Sequence, residues 1–145
     1  MIPIMLNMSI SELQQQVVEE FSLFSDWMEK YEYLIELGRA LPPFPEENKR
    51  DENLIAGCQS RVWLYVQFKN GILTFSADSD AIITKGIVSL LIHVFSGHSP
   101  NEIIESEMDF IDKIGLKDNL SPTRANGLLS MINKIKIYAT IYKDI

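Results

Sequence analysis

The sequence has one cysteine, Cys58, among 145 residues, so no internal disulfide is available and nothing calls for an oxidising compartment. Histidine is almost as scarce. His93 and His98 stand five residues apart, not the four that places two ligands on one helical face, and no metal site is expected. Positive charge is in deficit: 13 Lys and Arg face 20 Asp and Glu, for a net charge of −7, and no basic cluster exists beyond Lys49-Arg50. That balance speaks against a nucleic-acid footprint and against a polybasic face for anionic lipid. Long apolar runs are missing too. The longest later one, Ile87 to Phe95, is broken by Ser89 and His93 and is far short of a membrane span. The N-terminal MIPIMLNM lacks a basic flank and is short for a signal segment, so a cytoplasmic protein is expected. Asp78-x-Asp80 begins like a calcium loop, but Ile82 and Ile83 occupy positions that should supply oxygens. There is no glycine-rich phosphate cradle and no nucleophile elbow.

What is present is an ordinary core-forming composition, 46% apolar and 23% charged. A chain of this length buries roughly two-thirds of its unfolded surface. One domain over residues 1–145 is expected, with 1–8 as a flexible N-terminal extension.

Ser9-x-x-Glu12 has capping-box spacing, and Ile10, Leu13, Val17, Phe21 and Phe24 then recur at helical intervals. Asp26-x-x-Glu29 offers a second cap before Trp27, Tyr31, Leu34 and Ile35, and Gly38 suits the left-handed position after that helix. Leu41-Pro42-Pro43-Phe44-Pro45 and the charged or amide stretch from Glu46 to Asn53 read as a long loop delivering the chain to Cys58.

Val62 to Phe68 alternates, Asn70-Gly71 is the favoured type I′ turn pair, and Ile72 to Ala77 follows. A two-residue turn opposes Lys69 to Ile72. Counting back pairs Phe68 with Leu73, Val66 with Phe75 and Leu64 with Ala77, all apolar and on one face. Ser79 or Asp80 is then predicted to cap a broad-faced central helix carrying Ile82, Ile83, Ile87, Leu90, Leu91, Val94 and Phe95. Gly86 in its middle costs ~1 kcal/mol relative to alanine, which points to close backbone packing. Gly97 ends it. Ser99-Pro100-x-Glu102 opens a further helix, Gly115 closes a short segment around Phe110 and Ile114, and Ser121-Pro122 opens the last helix, with its stripe of Leu128, Ile132, Ile135, Ala139 and Tyr142. The fold class is α+β, rich in helix, around a small antiparallel sheet.

Cys58 stands between Gly57 and Gln59 at the lip of the first strand. Gly57 frees the backbone beside the sulfur, Gln59 and Ser60 are polar neighbours, and Arg61 is a cation able to favour thiolate. The apolar Leu54-Ile55-Ala56 predicts that the resting sulfur turns into a hydrophobic pocket beside the hairpin. Arg124, third residue of the last helix, opposes the helix dipole, a conflict of ~0.3–1 kcal/mol that helix stability alone would avoid. Two explanations stand: a solvated or locally paired side chain, or an arginine on the same face as the Cys58 loop, held there to meet a partner.

Three motifs in order carry a resemblance: Gly57-Cys58-Gln59-Ser60-x-Val62-Trp63-Leu64, then Ala77-Asp78-Ser79-Asp80-Ala81-x-x-x-Lys85-Gly86, then Leu120-Ser121-Pro122-x-Arg124-x-Asn126-Gly127-Leu128. Together they resemble the SufE family of sulfur-acceptor proteins, over about Leu34 to Ala139. The resemblance implies a small curved antiparallel sheet with helices packed on it, shared with IscU-type scaffolds. It implies that Cys58 accepts persulfide sulfur from a SufS-like, pyridoxal-phosphate (PLP)-dependent cysteine desulfurase, stimulates that enzyme, and passes the sulfur to a SufBCD-like iron–sulfur scaffold. Gly57, Gln59, Ser60, Arg61, Asp78 and Arg124 would then form the site or meet the partner. No cofactor is expected on this chain, since PLP belongs to the desulfurase, and the protein would be a carrier and activator, not an enzyme.

The chemistry agrees with a carrier. Transfer is thiolate attack on a sulfane sulfur, and a second cysteine nearby would close a disulfide and release sulfide. A cluster scaffold would need several ligands. Two other readings remain: a cysteine hydrolase or transferase pairing Cys58 with His93 or His98 as base, and an interaction module whose cysteine only packs.

Overall fold

The computed structural model describes residues 8–145. Of the expected N-terminal extension 1–8, only Met8 falls within that range. Ser9 caps the first helix, α1 (Ile10–Ser22), through the full capping box: its hydroxyl accepts from the Glu12 N–H, and the Glu12 carboxylate accepts from the Ser9 N–H. Phe24 lies beyond this helix, whose buried residues include Ile10, Val17 and Phe21. Asp26 caps α2 (Trp27–Arg39) by accepting from the Glu29 N–H. The Glu29 carboxylate accepts from Ser25, not from Asp26.

Gly38 is not the left-handed residue expected after α2. It lies inside the helix and is buried, because its missing side chain admits α3 (Ile82–Phe95). A Cβ there would lie 3.0 Å from the Gly86 nitrogen, and a Cβ on Gly86 would lie 2.2 Å from the Leu34 carbonyl oxygen. The two glycines bring α2 and α3 into backbone contact. Ser89 Oγ, one turn on, donates to the Leu37 carbonyl.

After α2 the chain makes single 3-10 turns at Glu46–Asn48 and Asp51–Asn53 and then enters β1 (Val62–Lys69). The β1–β2 hairpin has the predicted register, with Lys69 opposite Ile72, Phe68 opposite Leu73, Val66 opposite Phe75 and Leu64 opposite Ala77. Its turn needs two left-handed residues, and Asn70 (φ 53°) and Gly71 (φ 79°) supply them. β2 spans Ile72–Ser79. Isolated bridges at Leu54–Trp63 and Leu73–His98 extend the two-stranded sheet on either side.

No side chain caps α3. Its N-cap is Ala81, because the two expected caps are committed to the strand entry: Ser79 Oγ donates to the Arg61 carbonyl, and Asp80 accepts from the Arg61 N–H. The helix is the central one nonetheless. Ile87, Val88, Leu90, Leu91, Val94 and Phe95 are buried, each contributing about 1.5–3 kcal/mol in transfer terms, while Ile82 faces solvent. Gly97, at φ 87°, turns the chain out of it. Two short helices, α4 (Pro100–Glu105) and α5 (Asp109–Lys113), cross to α6 (Pro122–Tyr142). Leu128, Met131, Ile135 and Ala139 form the buried stripe of α6. His98 is buried and structural, its Nε2–H donating to the Met8 carbonyl at 2.9 Å.

Candidate functional site

Cys58 lies at the end of the loop that enters β1, against the first turns of α6. Gly57 makes this approach possible. Its φ of +93° is open to glycine and strained for other residues, and a Cβ there would fall 2.4 Å from Ser130 Oγ of α6. Across from the sulfur is Gly127, where a Cβ would touch Cys58 Sγ at 3.4 Å. The thiol donates a weak hydrogen bond to the Gly127 carbonyl, at 3.7 Å. It is half-buried, and burial pushes its pKa up.

Beside the sulfur is a cavity of about 320 Å³. The loop contributes Cys58, Gln59 and Ser60, α3 contributes Thr84, and the start of α6 contributes Ser121, Thr123, Arg124 and Gly127. This corrects the expectation of a hydrophobic pocket beside the hairpin. Ile55 is buried in the main core and leaves the pocket to hydroxyl, amide and guanidinium groups. Ser121 caps α6 by accepting from the Arg124 N–H at 3.3 Å, and Pro122 is its first residue, so Arg124 occupies the third helical position as predicted.

The remaining sequence-derived candidates lie elsewhere. The exposed Arg61 does not line the cavity; its backbone is held by Ser79 and Asp80, and burial, not a neighbouring cation, governs the Cys58 thiol. Asp78 sits on the other face of the hairpin from the core stripe, opposite Trp63. Its two oxygens take Lys49 and Lys85 at 3.2 Å each, and Lys49 also pairs with Glu46 and lies 5.2 Å from the Trp63 ring centre. Burial raises the Asp78 pKa, but the Ser79 N–H and the two ammonium groups outweigh it and hold the carboxyl below its usual range. Asp78 thus fastens the long loop leading to Cys58. No histidine lines the cavity, and the ring nitrogens of His98 face the Met8 and Phe95 carbonyls, so the Cys–His reading has no geometry behind it.

Thr84 and Thr123 were not singled out from sequence, and Gly127 stood only as part of the third motif, with no role at the site. Gly127 had a signal, since it follows Arg124 by three residues and so shares its helical face. Thr84 had none, because its place in the cavity depends on how α3 meets the loop.

The family model described as "Fe-S metabolism associated domain", SufE, matches residues 15–139. The chain belongs to the SufE family. A SufE-like protein of Rhizobium meliloti (strain 1021) is 41% identical over 126 residues, covering 83% of this chain and 90% of the relative. One from Synechocystis sp. is 34% identical over 140 residues, covering 97% and 88%. Both are named as uncharacterized. Among solved structures, the solution structure of a hypothetical protein from Thermus thermophilus superposes with a TM-score of 0.73 at 20% identity, covering 89% of this chain and 94% of that one. This SufE chain therefore shares an α+β fold with a solved protein and is associated with iron–sulfur metabolism. Among the described residues no helix is long and apolar enough to cross a membrane.

Proposed function

We propose that this protein is a persulfide carrier for iron–sulfur cluster assembly. A PLP-dependent cysteine desulfurase of the SufS kind presents a cysteine persulfide; Cys58 takes its outer sulfur, stimulates the enzyme, and delivers the sulfur to a SufBCD-like scaffold. The observation that carries the reading is a lone cysteine on a glycine-hinged loop, set in a polar cavity with an arginine and no second thiol. In the transfer, the Cys58 thiolate attacks the outer sulfur and a new S–S bond forms to Cys58. The old S–S bond breaks, and its electron pair leaves with the desulfurase cysteine. There is no net oxidation.

The resting site holds this step back. A half-buried thiol with a raised pKa is mostly protonated at neutral pH, and thiolate is the nucleophile. A partner that binds the loop with Cys58 swung outward would favour that form by its differential affinity alone. Gly57 supplies the hinge, Gln59 and Ser60 travel with the sulfur, and Arg61 and Arg124 are exposed cations at the two margins of the loop. Asp78 anchors the loop at Lys49. The protein acts in stoichiometric amount with sulfur, so turnover belongs to the desulfurase.

Cys58→Ser tests the role. It is expected to abolish stimulation of sulfide release by the desulfurase while shifting the unfolding midpoint little, since the volume change is small. Undiminished stimulation without added reductant would end the carrier reading.

A further inference from the structure

The Cys58 cavity is lined by no carboxylate, in a chain of net charge −7. Three groups in it lack partners among the described residues. The Arg124 guanidinium makes no ion pair or hydrogen bond; only its backbone is engaged, with Ser121. The Thr123 N–H has no acceptor, while Pro122 before it has no N–H and that of Arg124 is capped. Thr84, only 7% exposed, bonds no protein group through its hydroxyl. No buried side-chain oxygen or nitrogen is sealed off unpaired among the described residues, so this hydroxyl opens onto the cavity. A hydroxyl and a guanidinium that line one cavity, neither paired within the protein among the described residues, mark a place for an anionic ligand with further polar groups.

We propose that the cavity is a subsite for a small amino-acid thiol, with a carboxylate, an ammonium group and a thiol, that takes the sulfane sulfur from Cys58. This rests on the persulfide-carrier reading and adds a small-molecule outlet to it. Arg124 and the Thr123 N–H hold the carboxylate, and the oxygens of Thr84, Ser60 and Gln59 accept from the ammonium group. A cavity of about 320 Å³ admits a molecule of this size beside the sulfur. The bound thiolate attacks the outer sulfur of the Cys58 persulfide. A new S–S bond forms to the small thiol, the bond to Cys58 Sγ breaks, and its electron pair leaves on Sγ. The sulfane oxidation level passes to the product, a small persulfide that diffuses away, and no oxidant or reductant is consumed.

The experiment loads Cys58 with inorganic polysulfide, so that no desulfurase is needed. It then follows loss of the added sulfur by intact mass after mixing with L-cysteine or with cysteamine, at equal thiolate concentration. Cysteamine has the same thiol and amine but no carboxylate, and the acidic chain would by itself favour this cation. The expected result is saturating discharge by L-cysteine, roughly tenfold faster than by cysteamine at low concentration, as one charged hydrogen-bond pair allows. The advantage should fall to within about twofold in Arg124→Gln, and Thr84→Val should raise the half-saturating concentration. L-serine should compete. Equal, unsaturating rates for the two thiols with no effect of L-serine would overturn the subsite and leave the Arg124 carboxylate to a partner protein. An L-cysteine advantage that survives Arg124→Gln would overturn it as well. Failure of a desulfurase that has been loaded with sulfur and freed of L-cysteine to load Cys58 would instead strike the carrier reading, and the two failures are read in separate measurements.

Discussion

Gly57 before Cys58 in the chain and Gly127 facing it from α6 leave the sulfur close to helix backbone, where water is partly excluded and the neutral thiol is favoured. No cation offsets that burial, although Arg61 follows three residues later in the sequence. Alkylation of the folded protein should therefore follow a thiolate fraction that rises with an inflection above the ordinary thiol pKa of about 8.5. The unfolded chain ionises first as pH rises, so it binds fewer protons than the native state there. The thiol's contribution to stability is complete below the ordinary pKa and is lost as pH rises through the folded-state value. An alkylation profile with its inflection at or below that of a free thiol would contradict this account of the resting site.

At the scale of elements, the hairpin was fully legible because alternation and the Asn70-Gly71 turn fix the same register independently. The capping motifs at Ser9, Ser99 and Ser121 were legible for a similar reason: each needs only neighbours three residues away. Gly38 was misread because the reason for it is tertiary. A glycine near a helix end looks like a terminator, and only the packing of α3 against α2 shows that it admits a backbone. Gly86→Ala measures that contact. Alanine adds helix propensity of about 1 kcal/mol, but its Cβ would meet the Leu34 carbonyl oxygen at 2.2 Å, and overpacking against fixed backbone costs about 1–3 kcal/mol or more, which outweighs the gain. The urea midpoint should fall, and an unchanged or higher midpoint would refute the close approach. At the start of α6 the expectation has the opposite sign. Arg124→Ala removes a cation from the positive end of the helix and should leave stability unchanged or raise it by up to ~1 kcal/mol. The same change should weaken both affinity for the desulfurase and stimulation of sulfide release, and wild-type values for both would remove Arg124 from the partner face.

The molecule as a whole sets a hairpin and a long last helix on either side of the end of one long loop, and that loop end carries the only thiol. How much of this site could be read from the sequence follows from how local each part is. Cys58 and its flanking Gly57, Gln59 and Ser60 are contiguous, and Arg124 betrays itself by its conflict with the helix dipole. The polar character of the cavity was misjudged because Leu54 and Ile55 were read as its walls. In the folded chain Ile55 goes to the core, and the walls come from α3 and α6, which lie far along the sequence. Lys49 and Lys85 gather on Asp78 for the same non-local reason, Lys49 tying the loop and Lys85 tying α3 to the second strand. The central claim, that this arrangement carries sulfur on Cys58, is met most directly by intact-mass analysis after mixing with a PLP-dependent cysteine desulfurase that has been loaded with sulfur and then freed of L-cysteine, without reductant. The account predicts a gain of one sulfur atom (~32 Da), removed by reductant and absent from Cys58→Ser. A mass that stays unchanged after mixing with the loaded, L-cysteine-free desulfurase, or an equal gain in Cys58→Ser, would contradict it.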